Sequence, residues 1–286
     1  MIMIKQKDIK EKANEWGTTD NAVDKDYVLG HFLNSFYSFE DNRSLFVFKG
    51  GTCLRKCYFP EYRFSEDLDF TLTDTKFSIT TNYLRRIADD CTRNSGILFG
   101  DVKEKSKIKH DNLLHVFEFV IPFWGANHPK RNLPVQNEGW HTRIELDFSS
   151  QEIIRTPVEY RKIYHRFDDM LFTHRIPVYS LKEIFTEKIR SFEQRSYKSA
   201  RDYYDVWYLM QNVEFDDWDE IRFILNEKCN DKNVTLNPYI FEDENRKYDL
   251  QKSWAGSLGN QLTVCPDFEA VWCYLKENLF QKLKLL

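Results

Sequence analysis

The chain has 286 residues, with 41 Lys+Arg against 45 Asp+Glu, a formal net charge of −4, and 42% hydrophobic and 16% aromatic residues. That balance excludes a protein that coats nucleic acid by overall charge, so any nucleic-acid contact must use a local basic patch. The length allows two ordinary domains with sizeable cores. No run approaches the ~18 apolar residues of a membrane helix, and the opening MIMIKQKDIKEKANEW turns charged too early for a signal peptide. Cys53, Cys57, Cys91, Cys229, Cys265 and Cys273 form no CxxC pair and no Cys/His cluster. They read as reduced thiols of a cytoplasmic protein, not as a zinc site or a disulfide frame. The histidines are scattered and give a His-based metal site little support.

Residues 24–39 carry Val28, Phe32, Phe36 and Phe39 at helical spacing. Then 45-LFVF-48 is a short buried strand, broken by Gly50-Gly51, with a helix opening at 52-TCLRKCY-58. A second strand is expected at 67–73 and a helix at 79–94. Three more strands follow at 97–104, 113–123 and 141–149, with a polar loop at 125–139. After Pro177 the pattern changes to amphipathic helices at 180–195, 199–211, 216–229 and 267–283. The reading is therefore a mixed α/β domain over 1–178 and a helical domain over 179–286 that closes its cleft. Residues 182–201 hold six Lys/Arg against three Glu, whereas 214–249 hold eleven Asp/Glu against five Lys/Arg. The first is a modest basic patch compatible with RNA. The second reads as a solvated helical face or, alternatively, a dock for a basic partner.

Within 48-FKGGTCLRKCYFPEYRFSEDLDFTL-72, core-building accounts for Phe48, Leu54, Leu68, Phe70 and Leu72 but not for Asp67 and Asp69. On a strand, residues i and i+2 share a face. Two carboxylates there repel unless a cation lies between them, and Mg²⁺ takes such hard oxygen ligands. A solvated strand face is the plainer alternative. The strand 143-RIELDFS-149 again alternates, with Glu145 and Asp147 on its polar face. If the strands are neighbours, one of these completes a three-carboxylate cage for two ions about 3.5–4 Å apart. Asp147 is preferred, although spacing does not decide it against Glu145. A strand, Gly50-Gly51 and a helix start at Thr52 suit close approach to a phosphate, as well as an ordinary turn.

In 181-LKEIFTEKIRSFEQR-195, Lys188 falls inside the apolar stripe of Leu181, Ile184, Phe185 and Phe192, while Lys182 falls off it. A lysine there must snorkel out or meet an anion. The sharper reading has Lys188 reaching phosphates across the domain interface, helped by Arg190 and Arg195. In 201-RDYYD-205, Asp202 and Asp205 stand i, i+3 and Arg201 pairs with Asp205 at i, i+4. They form a structural ion network, or else orient Lys188, contact the nucleotide or assist proton transfer. Tyr203, Tyr204 and Trp207 read as core, with stacking on a base as the alternative.

The sequence Gly50-Gly51-Thr52 followed by Arg63-Phe64-Ser65-Glu66-Asp67-Leu68-Asp69-Phe70 resembles the AbiEii/AbiGii-type nucleotidyltransferase toxins of the DNA polymerase β-like superfamily. The Glu145/Asp147 strand, the Lys188 helix and 201-RDYYD-205 follow in the family's order over about residues 46–210, while the last 75 residues match no motif. The resemblance implies an α+β nucleotidyltransferase-like fold, a mixed sheet with flanking helices followed by a helical domain. It implies the toxin of a bacterial toxin–antitoxin or abortive-infection system, encoded beside its antitoxin. It implies transfer of NMP from NTP, with the tRNA 3′ end as the acceptor of choice and a protein or small molecule as the alternative. On that reading, two Mg²⁺ ions bind Asp67, Asp69 and Asp147. Gly50, Gly51 and Thr52 hold the triphosphate, Arg63 or Ser65 orient it, and Lys188 neutralises its charge with Asp202 and Asp205 nearby. The rivals are a metal-dependent nuclease, which gives no reason for the Gly-Gly-Thr turn, and a non-catalytic binding module, which would show a lost ligand.

Overall fold

The computed structural model describes residues 3–110, 113–128, 140–150, 152–170, 174–194 and 199–284, leaving aside the side chains of 106–110 and 113–115. Packing divides the chain into two units. One is Met1–Glu152 with Val158–Val178, and the other is Ile153–Pro157 with Tyr179–Leu286. The first is mixed α/β and the second is helical.

The first unit contains α1 (Gln6–Trp16), α2 (Asp20–Ser38), α3 (Asn42–Leu45), β1 (Phe46–Lys49), α4 (Gly50–Cys53), β2 (Asp67–Leu72), α5 (Thr81–Ser95), β3 (Leu98–Phe99), β4 (Lys103–His110), β5 (Leu113–Trp124), β6 (Arg143–Ser150), β7 (Glu159–Arg161) and β8 (Ile176–Val178). The strands form one mixed sheet in the order β3-β5-β6-β2-β1-β8-β7, with β4 also paired to β5. β2 and β6 run parallel, while β1–β2 and β5–β6 are antiparallel. Helix α2 starts at Asp20 because the Thr19 hydroxyl accepts the Ala22 N–H. It is buried on most of its surface.

The core face of the sheet is aromatic. Phe70 of β2 lies against Phe148 of β6 at 5.1 Å and against Phe36 of α2 at 4.6 Å, both stacked. Such pairs add about 0.5–1.5 kcal/mol beyond burial.

Two local expectations differ from the fold. The helix after β1 begins on Gly50 and not on Thr52, and beyond Cys53 it widens to a π-helical turn, Leu54–Tyr58. The strand expected at 97–104 is two strands. The chain breaks after β3, and the Gly100 N–H is held by the Pro122 carbonyl at 2.7 Å. Of the loop at 125–139, residues 129–139 lie outside the described residues.

The basic turn has a structural task. Arg55 and Lys56 are buried and each donates to Asp26 of α2 at 2.8 Å. Arg55 also donates to the Tyr62 carbonyl and lies over the Phe64 ring. This pins the loop that leads to Arg63 and Ser65. Removing Asp26 would strand two buried cations, a loss of about 3–5 kcal/mol.

The second unit contains α6 (Leu181–Gln194), α7 (Ala200–Asn212), α8 (Trp218–Asp231), α9 (Glu244–Leu258) and α10 (Phe268–Leu283). Phe192 of α6 stacks on Tyr203 of α7 at 4.0 Å. Arg246 of α9 donates to the Phe192 carbonyl and to Glu193. The fully buried Lys228 of α8 meets Glu183 at 2.6 Å, Glu187 at 3.1 Å and the Ile153 carbonyl at 3.1 Å. Glu183 in turn accepts the N–H groups of Arg155 and Thr156 and the Thr156 hydroxyl. The stretch 153–157 is thus bound into the helical unit by a buried charge network. Part of the acidic run at 214–249 is explained by capping, since Asp217 and Asp243 accept the N–H groups of Glu220 and Arg246 at the starts of α8 and α9.

In the first unit, Asp169 joins Tyr27 (2.5 Å), His31 (3.2 Å) and His165 (3.2 Å). Burial pulls the His165 imidazole down to about 4, outweighing its bond to Asp169. The unfolded chain therefore binds a proton between about pH 6.5 and pH 4 that the folded chain does not, and stability falls as pH drops through that window. Between pH 7 and pH 4.5 the melting temperature of the parent should therefore fall relative to that of His165→Gln.

Candidate metal and nucleotide site

The site starts from register. Because β2 and β6 are parallel with Asp67 beside Glu145 and Asp69 beside Asp147, all four carboxylates stand on the face opposite the Phe70–Phe148 stack. Register extends the row. Lys49 of β1 pairs with Asp69, and Glu118 of β5 pairs with Asp147. One line across four strands therefore reads Lys49, Asp69, Asp147, Glu118. Beside it lies the shorter line of Asp67 and Glu145.

The two candidates for the third carboxylate have different surroundings. Burial raises Glu145, but Lys105 at 2.9 Å and Arg143 at 3.3 Å outweigh it and hold the group below its ordinary value. Asp147 is pushed up to about 8, first by burial and then by Asp69, Asp67, Glu118 and Glu145. It therefore sits amid surplus negative charge that a proton or a cation relieves.

The Gly-Gly turn belongs to the same face. Gly50 has φ +79°, and a Cβ there would come within 2.0 Å of Asp69 Oδ2. A Cβ on Gly51 would meet Ser65 Oγ at 2.9 Å and Arg63 Nη2 at 3.0 Å. The absence of side chains at both positions lets Asp69, Ser65 and Arg63 close on the backbone. The Thr52 hydroxyl is turned to the Asp67 carbonyl at 2.5 Å, tying the helix start to β2. Lys49 is ion-paired with Glu152 at 3.3 Å, both nearly buried.

In the helical unit, Lys188 stays within the apolar stripe and meets anions there. Its ammonium lies 2.7 Å from Asp202 and 2.8 Å from Asp205. Both carboxylates are buried, so the lysine does not snorkel into water. Arg190 is also buried, Lys182 pairs with Glu220, and Arg195 lies outside the described residues. Tyr203 and Tyr204 are core residues, while Trp207 is half-buried.

Sequence reading passed over three features. Glu118 was visible in the alternation of 113–124, but its place in the row required the β5–β6 pairing. Lys49 was hidden in front of the glycines. The His31–His165–Asp169 group has ligand atoms within 4.8 Å of one another. Its members lie on α2 and near residue 165, and no spacing links them. Burial raises Asp169, but its bonds from His165, His31 and Tyr27 outweigh that and hold it far below its ordinary value. These bonds make the group a hydrogen-bonded junction.

The profile of a family described as "Nucleotidyl transferase AbiEii toxin, Type IV TA system" matches residues 31–274. The chain belongs to the AbiEii nucleotidyltransferase toxin family. The AbiEii assignment agrees with fold comparison. The nucleotidyltransferase toxin MenT4 of Mycobacterium tuberculosis superposes with a TM-score of 0.66 at 18% identity, covering 99% of this chain and 90% of that one. JHP933 of Helicobacter pylori superposes with a TM-score of 0.53 at 17% identity, covering 93% and 94%. At these identities the likeness is one of fold. None of the curated proteins matches the sequence. No helix among the described residues is long and apolar enough to cross a membrane.

Gly50→Ala should place a methyl group against Asp69 in a left-handed backbone. The backbone term alone is about 1–2 kcal/mol, so the melting temperature should drop by several degrees. A variant melting like the parent would contradict the left-handed backbone at Gly50 as well as the close approach of Asp69.

Proposed function

We propose that this AbiEii-family chain transfers a nucleoside monophosphate from an NTP to an acceptor hydroxyl in an Mg²⁺-dependent reaction. The observation that carries the reading is the row of Asp69 and Asp147, joined by Asp67, directly against the Gly50-Gly51 turn. Hard carboxylate oxygens with surplus negative charge fit one or two Mg²⁺ ions. Asp67, Asp69 and Asp147 are the residues that would hold them. When bound, the metal supplies charge neutralisation at the reacting phosphate.

The chain's own contribution is positioning and charge. Gly50 and Gly51 let the phosphates approach the backbone, and Arg63 and Ser65 flank them. Thr52, expected from the resemblance to hold the triphosphate, acts by tying the turn to β2. Lys188, oriented by Asp202 and Asp205, is the cation proposed for the nucleotide's phosphates. The tRNA 3′ end is the acceptor we favour. Its support is the family's place in toxin–antitoxin systems and the chemistry of a free terminal ribose. A cognate antitoxin, a part in phage defence and a cytoplasmic setting belong to the same proposal. The six free thiols suit a reducing compartment.

The deciding experiment incubates the purified chain with Mg²⁺, total RNA and each labelled NTP separately, with Asp69→Ala alongside. Label is expected in a tRNA-sized band and is expected to vanish in the variant. Label on a protein or small molecule would move the acceptor class, and no transfer from a chain that binds no nucleotide would end the enzymatic reading.

A second measurement uses Asp147. Its folded-state value is raised, so its contribution to stability is present below about pH 4 and is lost as pH rises through about 8. In chelator, the melting temperature should therefore fall between pH 7 and pH 8.5, above the window in which His165 titrates. Saturating Mg²⁺ should restore it at the alkaline end, and Asp147→Asn should abolish both effects.

A further inference from the structure

Glu118 lies at the far end of the carboxylate row from the glycine turn. The row has a direction. Lys49, immediately before the Gly50-Gly51 turn, stands at one end, Asp69 and Asp147 follow, and Glu118 is last. Phosphoryl transfer at such a centre is in line, with the attacking oxygen entering opposite the departing pyrophosphate. If the triphosphate lies at the glycine end, the acceptor enters from the β5 end.

Glu118 stands there. Phe117 and Phe119 on either side are buried in the core, which places the Glu118 side chain on the carboxylate face. Asp147, its register neighbour, feels its charge. Lys105, the β4 residue where register shifts between Glu104 and Ser106, senses Glu118, Glu145 and Asp147. The plain alternative is an acid on a solvated strand face. The half-buried position of Glu118, in register with Asp147 on the carboxylate face, places it within the row and not on an open strand face.

We infer that Glu118 accepts a hydrogen bond from the acceptor hydroxyl and orients it for attack at the α-phosphorus. The inference rests on the nucleotidyl-transfer reading above. In the step, the acceptor oxygen forms a bond to the α-phosphorus and the bond to the bridging oxygen breaks. Pyrophosphate leaves with the electron pair, and the hydroxyl proton passes to solvent. Glu118 is thus an acceptor-side residue. It contributes to alignment and not to the hold on the metal or the triphosphate.

The test uses the full chain, unfractionated bacterial tRNA and the NTP that labels it. Glu118→Ala and Glu118→Gln are compared with the parent for transfer rate, for KM toward tRNA, and for binding of the α,β-methylene analogue of that NTP with Mg²⁺. Glu118→Ala is expected to lower kcat/KM for tRNA by about 10- to 100-fold while analogue binding stays at the parent's level. Glu118→Gln, which keeps an acceptor oxygen, is expected to recover part of the loss. Parent-like transfer by Glu118→Ala would overturn the inference and leave the transferase reading intact. Weakened analogue binding would also overturn it, since Glu118 would then serve the metal or the triphosphate. A parent protein that transfers nothing would remove the transferase reading itself, and the Glu118 assignment with it.

Discussion

Parallel pairing of β2 with β6 is the constraint on which the site depends. Leu68 beside Leu146 and Phe70 beside Phe148 fix the register from the core side. A slip of one residue would carry the aromatic rings to the polar face and the aspartates into the core. Fixing the apolar pairs therefore fixes Asp69 beside Asp147 and Asp67 beside Glu145 without any ligand present. Burial of the Phe36–Phe70–Phe148 stack supplies free energy that offsets the repulsion gathered on the opposite face. Burial and that repulsion together raise Asp147, whereas Lys105 and Arg143 outweigh burial at Glu145.

Much of this was legible in the sequence because strands write their two faces in alternation. The carboxylates of 67–69 and 145–147 could be placed on polar faces from the residues between them, and the order of motifs pointed to the family. Pairing was not legible. Whether β5 or some other strand lies beside β6 depends on contacts far apart in sequence, so Glu118 could not be joined to the row. The junction of Tyr27, His31, His165 and Asp169 was hidden for the same reason. Other misses were local. α1 and α9 bury only Ile9, Ala13, Trp16 and Leu250, Trp254, Leu258 respectively, too thin a stripe to stand out among charged neighbours. β8 is only three residues long and carries Pro177, which gives no ladder N–H, so it leaves little strand pattern in the sequence.

The lysines illustrate how similar charges serve different ends. Lys56 sits with Arg55 on Asp26 and holds a loop, and Lys228 sits on Glu183 and Glu187 inside the helical unit. Lys188 is half-buried and set against two buried acids, Asp202 and Asp205. Sequence marked Lys188 alone because it interrupts an apolar stripe, and its partners proved to be the paired aspartates of the next helix. A lysine held by two carboxylates has a fixed direction.

The stretch 153–157 has consequences for ancestry. The chain leaves the α/β unit after Glu152, spends five residues satisfying Glu183 and Lys228, and returns for β7 and β8 before the helices begin. The helical unit is therefore not coded by one continuous segment. A recombination event joining a foreign helical domain after Val178 would deliver the Glu183–Lys228 pair without the backbone groups that hydrogen-bond it. Exchange between relatives must carry 153–157 along with the helices or replace the buried charges at the same time. The two units are thus expected to have diverged together, as one inherited piece.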